Sequence, residues 1–430
     1  MDFSKLHAIA HAERQSQKPV RIRCCTAAPC WSANSQAVKQ ELAEAIAENG
    51  FSEEVEVLGV GCMGLCSRGP LVQIDYRTDV HGSSPVLYEN VTVAKVSSIV
   101  NTLDGGCVNV QQVALDHPFF TRQQPIVLEN SGTIDPERIE AYLAVQGYQA
   151  LHQVLAQMSP TDVVNAIARS GLRGRGGSGY PTGLKWATVA KATGARKFIL
   201  CQTDQADPGA FLDRTILESD PHRILEGLAI AAYAVGADQG YIYIRPEYPL
   251  TISRLQLAIH QAQRLGLLGD QILGSPFNFH LDVRMGTGSH SIVETAALIT
   301  RFEDLPDIPS PLPSDSTDWG LWGYPTLTNH VETIANIAPI IRKGAEWFAS
   351  IGTETSKGTK VLALGGAVQY PGLIEVPMGT SLRHIVEVIG GGVPSGSTVK
   401  ALQVSGPASG CIPASLIDTP IDYEALAALG

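Results

Sequence analysis

The sequence lacks any apolar run of the roughly 20 residues that a membrane-spanning helix needs. The richest candidate, Ile224 to Ala237, is too short and contains Glu226. Residues 1–17 are polar and lack the apolar segment of a secretory signal peptide. We therefore predict a cytoplasmic protein that does not insert directly into a membrane.

Basic residues are fewer than acidic ones. The sequence contains 31 Lys and Arg and 42 Asp and Glu, which gives a net charge of −11. Proteins that bind nucleic acid neutralise its phosphates with positive charge, so this balance argues against nucleic acid as a partner. A chain of 430 residues is long enough for several domains. In the cytoplasm, eight cysteines favour metal or redox use over disulfides.

The sequence contains no C-x2-C pair, which is the usual spacing of structural zinc knuckles. It has two wider pairs instead, Cys25-x4-Cys30 and Cys62-x3-Cys66, and each pair follows a strand-like run. Four thiolates in two short pairs suit an iron–sulfur cluster or zinc. The spacing favours the cluster, and a zinc-structural site is the alternative. We interpret Cys24, Cys107, Cys201 and Cys411 as small buried hydrophobic residues.

A glycine-rich loop runs from Ser170 to Trp186 and contains the pattern G-x-G-x-x-G. A dinucleotide fingerprint requires a strand before this pattern, and a helical pattern precedes it here, so a Rossmann site is disfavoured. Glycines still let backbone N–H groups approach a phosphate, and three nearby cationic side chains favour the binding of an anion. The loop therefore predicts an anion-binding site, with a tight surface loop as the alternative. The residues concerned are Gly174, Gly176, Gly179, Arg173, Arg175 and Lys185.

Beyond this loop, strand and helix patterns alternate, which predicts a largely parallel sheet covered by helices. The predicted strands are Lys197 to Cys201, Gly240 to Ile244 and His280 to Arg284, and the predicted helices are Arg214 to Val235, Thr251 to Leu265 and Ser291 to Arg301.

Several motifs resemble known families. The stretches "RIRCCTAAPC" and "GCMGLCSRGPLVQID" resemble the thioredoxin-like [2Fe-2S] ferredoxin domain of NADH dehydrogenase and NAD-reducing hydrogenase subunits. The stretches "GLRGRGGSGYPTGLKW", "DPGAFLDRTILESDPHRILEG" and "GLWGYPTLTN" resemble the flavin-binding subunit of respiratory complex I and the diaphorase flavin subunit of bidirectional NAD-reducing hydrogenases (the HoxF type). The stretch "GLIEVPMGTSLRHIVEVIGGG" resembles that family's ubiquitin-like SLBB domain. The resemblance covers nearly the whole chain.

The resemblance implies an α/β fold class with three units: a thioredoxin-like [2Fe-2S] domain, a complex I-type FMN-binding α/β domain and a ubiquitin-like (SLBB) β-grasp module. The expected boundaries are 1–17 for an N-terminal helix, 18–104 for the ferredoxin domain, 105–135 for a linker, 136–350 for the FMN/NADH domain, 357–414 for the SLBB module and 415–430 for a tail.

The resemblance also implies a function. The chain would be an NADH dehydrogenase or diaphorase-type oxidoreductase subunit that passes electrons between NAD(H), FMN and a [2Fe-2S] cluster. Its partners would be the iron–sulfur subunits of a hydrogenase or complex I-like assembly. The implied cluster ligands are Cys25, Cys30, Cys62 and Cys66. The implied flavin and nucleotide contacts are Gly174, Arg175, Gly176, Gly177, Gly179, Tyr180, Gly183, Lys185, Asp204, Asp207, Glu294 and Asn329. No acid or base residue is expected, because hydride transfer to flavin needs alignment only.

The sequence departs from the family pattern at the expected flavin site. The family's N-x-D-E reads Gln202 to Gln205 here, its Y-x-C-G-E-E-T reads His290 to Ala296, and its paired asparagines read Asn329-His330. The family's C-x2-C-x2-C is missing, so we expect no [4Fe-4S] cluster. These departures leave alternatives open: a divergent paralogue without a functional flavin site, acting as an electron relay or structural subunit, or a truncated copy.

Overall fold

The structure, a computed structural model, describes residues 3–76, 84–106, 109–203, 211–286, 295–303, 320–404 and 409–429. Three residues of the expected flavin site, Asp204, Asp207 and Glu294, lie outside these ranges. Within them, no helix combines the length and the apolar character that crossing a membrane would require.

Both helices and strands occur throughout the described parts of the chain. The helices of the described residues are α1 (Phe3–Ser16), α2 (Ala28–Ser32), α3 (Ser35–Glu48), α4 (Val96–Val100), α5 (Pro118–Thr121), α6 (Ile139–Ala144), α7 (Gln149–Gln157), α8 (Pro160–Ser170), α9 (Thr182–Lys191), α10 (Leu212–Ser219), α11 (Pro221–Val235), α12 (Pro249–Arg264), α13 (Thr295–Phe302), α14 (Val331–Ala335), α15 (Ile337–Lys343), α16 (Ala345–Ala349) and α17 (Tyr423–Ala427). The strands are β1 (Val20–Cys25), β2 (Val55–Val60), β3 (Val72–Tyr76), β4 (Val86–Tyr88), β5 (Gln112–Val113), β6 (Phe198–Thr203), β7 (Gln239–Ile244), β8 (His280–Met285), β9 (Thr326–His330), β10 (Thr359–Leu364), β11 (Gly372–Pro377), β12 (Ala401–Gln403) and β13 (Cys411–Pro413).

The first sheet contains five strands in the order β2-β1-β3-β4-β5. Strands β1 and β2 are parallel, whereas β3 to β5 pair antiparallel. Successive side chains of a strand point to opposite faces. Accordingly Ile22 and Cys24 are buried with Leu42 of α3, while Cys25 belongs to a different core on the other face. The interpretation of Cys24 and Cys201 as buried residues is confirmed, but that of Cys411 was wrong, because Cys411 is exposed; Cys107 lies outside the described residues.

The second sheet contains four parallel strands in the order β8-β7-β6-β9, as the alternating pattern predicts. Strand β9 was not anticipated. The predicted helix from Arg214 to Val235 was wrong, because it is two helices, α10 and α11, separated at Asp220. Pro221 lacks the N–H that a continuous helix needs, and the Asp220 carboxylate accepts the Arg223 N–H as the cap of α11.

The C-terminal part contains two small antiparallel sheets, β10-β11 and β12-β13. Its buried residues, such as Ile374 and Ile389, share one core with Cys25, Cys62 and Leu65 of the N-terminal part. The Leu373 N–H also donates to the Gly64 carbonyl at 2.8 Å. The C-terminal part is therefore packed directly against the cysteine loops.

Candidate functional site

Four thiols lie together where β1 and β2 end. Cys25 and Val60 are paired across these parallel strands, so the loops that follow them begin side by side. The Cys25 thiol is hydrogen-bonded to those of Cys30 and Cys62, and the Sγ atoms of Cys62 and Cys66 are 3.3 Å apart. Cys66 is partly exposed, and the other three are buried. The structure thus brings all four predicted ligands into one group.

Backbone N–H groups surround these thiols. The Gly64 N–H donates to Cys62 Sγ at 3.3 Å, and the N–H groups of Ala27 and Met63 donate to Cys25. Hydrogen bonds from the thiols of Cys30 and Cys62, together with these N–H groups, hold the pKa of Cys25 well below its usual value, despite its burial. Donors of this kind stabilise the negative charge of sulfur in iron–sulfur proteins.

The donor set fits a [2Fe-2S] cluster, which takes four thiolates and favours N–H donors around its sulfurs. Among the described residues, no three or more His, Cys, Asp or Glu side chains are arranged so that they could hold one metal ion. The thiols are instead linked as neighbours, from Cys30 to Cys25 to Cys62 to Cys66.

Both cysteine loops rest on the C-terminal end of α10. The Cys62 N–H donates to Ser219 Oγ at 2.9 Å, and the Ala28 N–H donates to Glu218 Oε2 at 2.8 Å. A side chain at Gly61 would have no room, because its Cβ would lie 2.5 Å from Ser219 Cβ. The two loops are therefore fixed to this helix by hydrogen bonds and by close contact.

Arg254 of α12 reinforces this contact. Its guanidinium is buried and donates to Thr26 Oγ1 and to the Glu218 carbonyl, both at 2.8 Å. It also donates to Glu137 Oε1 at 3.2 Å. A buried guanidinium is stable only when its N–H groups find acceptors, so Arg254 joins α10, the first cysteine loop and the segment before α6.

The glycine-rich loop lies at the carboxyl end of β9. Gly176 faces the His330 ring, because a Cβ at Gly176 would lie 3.3 Å from three His330 carbon atoms. Gly177 and Gly179 have φ values of +119° and +61°, which favour glycine. No atom lies within 4 Å of a Cβ added at Gly177. Ligands of open parallel sheets bind at this edge, so the loop stands where a cofactor is expected.

The cations of the loop are engaged within the protein. Arg175 is buried and donates to the carbonyls of Arg173, Lys357 and Thr359 at 2.9, 2.6 and 3.0 Å. Lys185 donates to the Thr328 carbonyl at 3.0 Å. The sequence pattern suggested that these cations attract an anion. In the structure Arg175 instead supports the loop from within, because its buried N–H groups need acceptors.

The remaining predicted contacts are placed as follows. The Asn329 side chain accepts from Trp186 Nε1 at 3.0 Å and is buried. Tyr180 is exposed. Gly183 lies in α9, where a Cβ would meet Ala168 Cα of α8 at 2.4 Å, so glycine at this position serves helix packing.

The C-terminal helix covers one side of the glycine-rich loop. Tyr423 Oη donates to the Gly174 carbonyl at 2.7 Å, and its ring fills the space beside Gly179. The Arg173 guanidinium lies 4.4 Å from the centre of that ring and 2.6 Å from Glu424 Oε1. The segment predicted as a tail is therefore attached to the loop.

Sequence reasoning missed a buried pair beside the loop. His330 Nε2 and Asp213 Oδ2 are 2.7 Å apart. The guanidinium of Arg214, the residue next to Asp213, lies over the Tyr248 ring, 5.3 Å from its centre. The departure from paired asparagines at Asn329-His330 was the feature that pointed to this position.

Comparison with known proteins places this arrangement in a family. Residues 167–339 match the family described as the Nuo51 FMN-binding domain, and residues 10–104 match the thioredoxin-like [2Fe-2S] ferredoxin family. An NADH-quinone oxidoreductase subunit of Rhizobium meliloti (strain 1021) is 41% identical over 310 residues, which cover 71% of this chain and 73% of that protein. The chain belongs to the Nuo51 family.

Other relatives of this Nuo51-family chain agree. NADP-reducing hydrogenase subunit HndC of Solidesulfovibrio fructosivorans is 48% identical over 307 residues. The match covers 71% of this chain but only 62% of HndC. The crystal structure of an NAD+-reducing [NiFe]-hydrogenase in the H2-reduced state aligns with a TM-score of 0.61 and 25% identity, covering 98% of this chain and 69% of that one.

The matches confirm the resemblance read from the sequence, the α/β class with its thioredoxin-like and FMN-binding domains, and FMN and [2Fe-2S] as the cofactors of this Nuo51-family chain. The SLBB module and the domain boundaries remain predictions.

Proposed function

We propose that this chain is an NADH-linked oxidoreductase subunit of the NADH dehydrogenase or diaphorase type. It passes electrons between NAD(H), FMN and a [2Fe-2S] cluster within a larger redox assembly. Relatives named as quinone oxidoreductase and hydrogenase subunits support this proposal. They also support iron–sulfur subunits of such an assembly as partners, and a cytoplasmic location agrees with the free cysteines.

The observation that carries the proposal is the position of α10 between the two cofactor sites. Asp213, in its first turn, contacts His330 beside the glycine-rich loop, and Ser219, its last residue, binds the Cys62 loop. Six residues at a rise of 1.5 Å span about 9 Å. A flavin held by the loop and a cluster held by the cysteines would thus be close neighbours, which suits direct electron transfer.

The residues would divide the work as follows. FMN, when bound, supplies the chemistry that connects a hydride donor to carriers of single electrons. Gly177 leaves room for a ring system, and Trp186 fixes the orientation of the Asn329 amide. We propose as flavin and nucleotide contacts the loop residues Gly174, Arg175 (through its main chain), Gly176, Gly177, Gly179, Tyr180 and Lys185, with Asn329, Asp204, Asp207 and Glu294.

The cysteine group would hold the cluster through Cys25, Cys30, Cys62 and Cys66. Three of its four thiols are buried, and the Gly64 N–H and the neighbouring N–H groups would oppose the negative charge that reduction adds. We keep the expected domain boundaries at 18–104, 136–350 and 357–414 as part of this proposal.

Cofactor analysis of the full chain tests the proposal. Protein purified without oxygen should contain about two irons and two acid-labile sulfides per chain, which is the content of one [2Fe-2S] cluster. It should also release FMN, whose absorption bleaches when NADH is added. A cluster spectrum without flavin, even after addition of FMN, would refute the flavin part and favour a relay or structural subunit. Zinc in place of iron would refute the cluster.

A further inference from the structure

His330 and Asp213 form a pair at the junction of the glycine-rich loop and the sheet. Their side chains are 12% and 3% exposed. His330 is the last residue of β9 and is paired with Gln202 near the carboxyl end of β6. Its ring packs against Gly176. The imidazole therefore stands at the sheet edge where ligands of parallel sheets bind, beside the glycine-rich loop and within the residues that match the Nuo51 FMN-binding domain.

Several polar atoms in and next to this pair are buried without hydrogen-bond partners. They are His330 Nδ1, Asp213 Oδ1, Arg214 Nε and Oγ1 of Thr328, two residues before His330 in β9. The 2.7 Å contact between His330 Nε2 and Asp213 Oδ2 uses one ring nitrogen and leaves the other, Nδ1, without a partner. Because buried polar groups in proteins are nearly always bonded, this concentration of unbonded ones marks a place for a polar ligand.

The charged groups that face His330 favour its protonated form. Burial lowers the pKa of His330, but Asp213 and, less strongly, Glu332 outweigh burial and raise it. Glu332 is itself paired with Lys360, which opposes the increase. From the other elements, Arg175 is saturated by carbonyls, Lys185 donates to Thr328 and Arg214 lies over Tyr248. Among the charged groups that the structure describes here, Asp213 is the one in contact with the ring, and the pair is neutral when His330 carries a proton.

We propose that protonated His330, oriented by Asp213, donates its Nδ1–H to an oxygen of the bound flavin nucleotide and makes flavin affinity depend on pH. This inference rests on the flavin site proposed above. The acceptor is an oxygen of the FMN phosphate or of the flavin ring. When His330 loses its proton, the pair carries the net negative charge of Asp213, which repels a phosphate and weakens binding. Asp213 acts here as a positioning residue, because it contacts the imidazole.

Flavin titration of the full chain tests this inference. Flavin-free protein is titrated with FMN and with riboflavin from about pH 6 to about pH 9, the range over which a histidine with a raised pKa loses its proton, and flavin fluorescence is followed. For the unmodified chain we expect the dissociation constant for FMN to increase about tenfold or more across this range, as one charged hydrogen bond is lost. His330→Asn should bind FMN with the same affinity from about pH 7 to about pH 9, where the FMN phosphate is already fully ionised. Asp213→Asn should move the change to lower pH, because it removes the group that raises the pKa.

The controls separate the possible failures. His260→Asn changes an exposed histidine of α12 and should leave the pH profile unchanged. The absorption of the [2Fe-2S] cluster in each variant reports an intact fold. A pH effect with FMN alone assigns the acceptor to the phosphate, and an effect with riboflavin as well assigns it to the ring. Parallel profiles for the unmodified chain and His330→Asn would overturn the inference while leaving the flavin site standing. Absence of flavin binding in all variants at every pH would overturn both.

Discussion

The close contact between Gly61 and Ser219 predicts that one added methyl group, in Gly61→Ala, would push the Cys62 loop away from α10. In Gly61→Ala the new Cβ would lie 2.5 to 2.6 Å from the Cβ, Cα and Oγ of Ser219, where ordinary contacts begin near 3.4 Å. The cysteine loop and α10 would have to move apart by about 0.9 Å, the difference between 3.4 and 2.5 Å. Overpacking of this kind costs about 1 to 3 kcal/mol, and loss of the bond from the Cys62 N–H to Ser219 adds about 1 kcal/mol.

The assay follows the cluster. We expect Gly61→Ala to lose its [2Fe-2S] absorption at a lower guanidinium concentration than the unmodified chain. Reduction of the cluster by NADH should also slow, because the separation along α10 increases. The matched control is Gly59→Ala, two residues earlier, where the nearest atom to a new Cβ is Lys39 Nζ, the mobile end of a long side chain. Equal behaviour of the two variants would refute the view that the Gly61 contact holds the loop to α10.

Three further predictions concern other parts of the chain. Cys25→Ala should lose its iron whereas Cys24→Ala keeps it, because Cys24 faces the core of the first sheet; equal iron contents would contradict the ligand assignment. Burial lowers the pKa of His222 to about 4, against about 6.5 when unfolded, so stability is fully present above pH 6.5 and falls by up to about 3 kcal/mol as the pH drops to about 4. The thermal midpoint of His222→Gln should therefore depend less on pH across this window than that of the unmodified chain, and identical slopes would count against it. Glu375→Ala should reduce the free energy of unfolding by about 2 to 4 kcal/mol, because the buried carboxylate accepts the N–H groups of Val127 and Leu128. Its thermal midpoint should therefore fall, and an unchanged midpoint would contradict this prediction.

The sequence predicted what depends on local pattern. The cysteine spacing identified all four thiols that the structure groups, and the strand-like run before Cys62 is observed as β2 (Val55–Val60). Alternation of strands and helices predicted the parallel sheet. Strand β9 was missed because its segment contains two threonines and resembles a loop, and the strand forms by pairing with β6. Local pattern therefore identified the elements that carry their own apolar period, and missed β9, which depends on tertiary pairing.

The misses at the site share one physical cause. The role of Arg175 depends on the carbonyls of Lys357 and Thr359, nearly two hundred residues away, which no local pattern reports. The pair of His330 with Asp213 likewise joins residues that the fold brings together from separate elements. In both cases the tertiary structure determines the partner of a buried charge. Residue type therefore predicted a charge near the loop but not the group that it contacts.

The rigidity of helix α10 determines how electron exchange between the two sites should depend on temperature. Its peptide hydrogen bonds set the spacing between the His330 pair and the Cys62 loop, so no hinge lies on the line from one to the other. Electron exchange that depended on a swinging domain would stop in a frozen glass. Electron exchange along this helix should continue in such a glass. Reduction of the cluster should therefore be detectable by electron paramagnetic resonance in samples frozen before the NADH-reduced flavin has passed on its electrons.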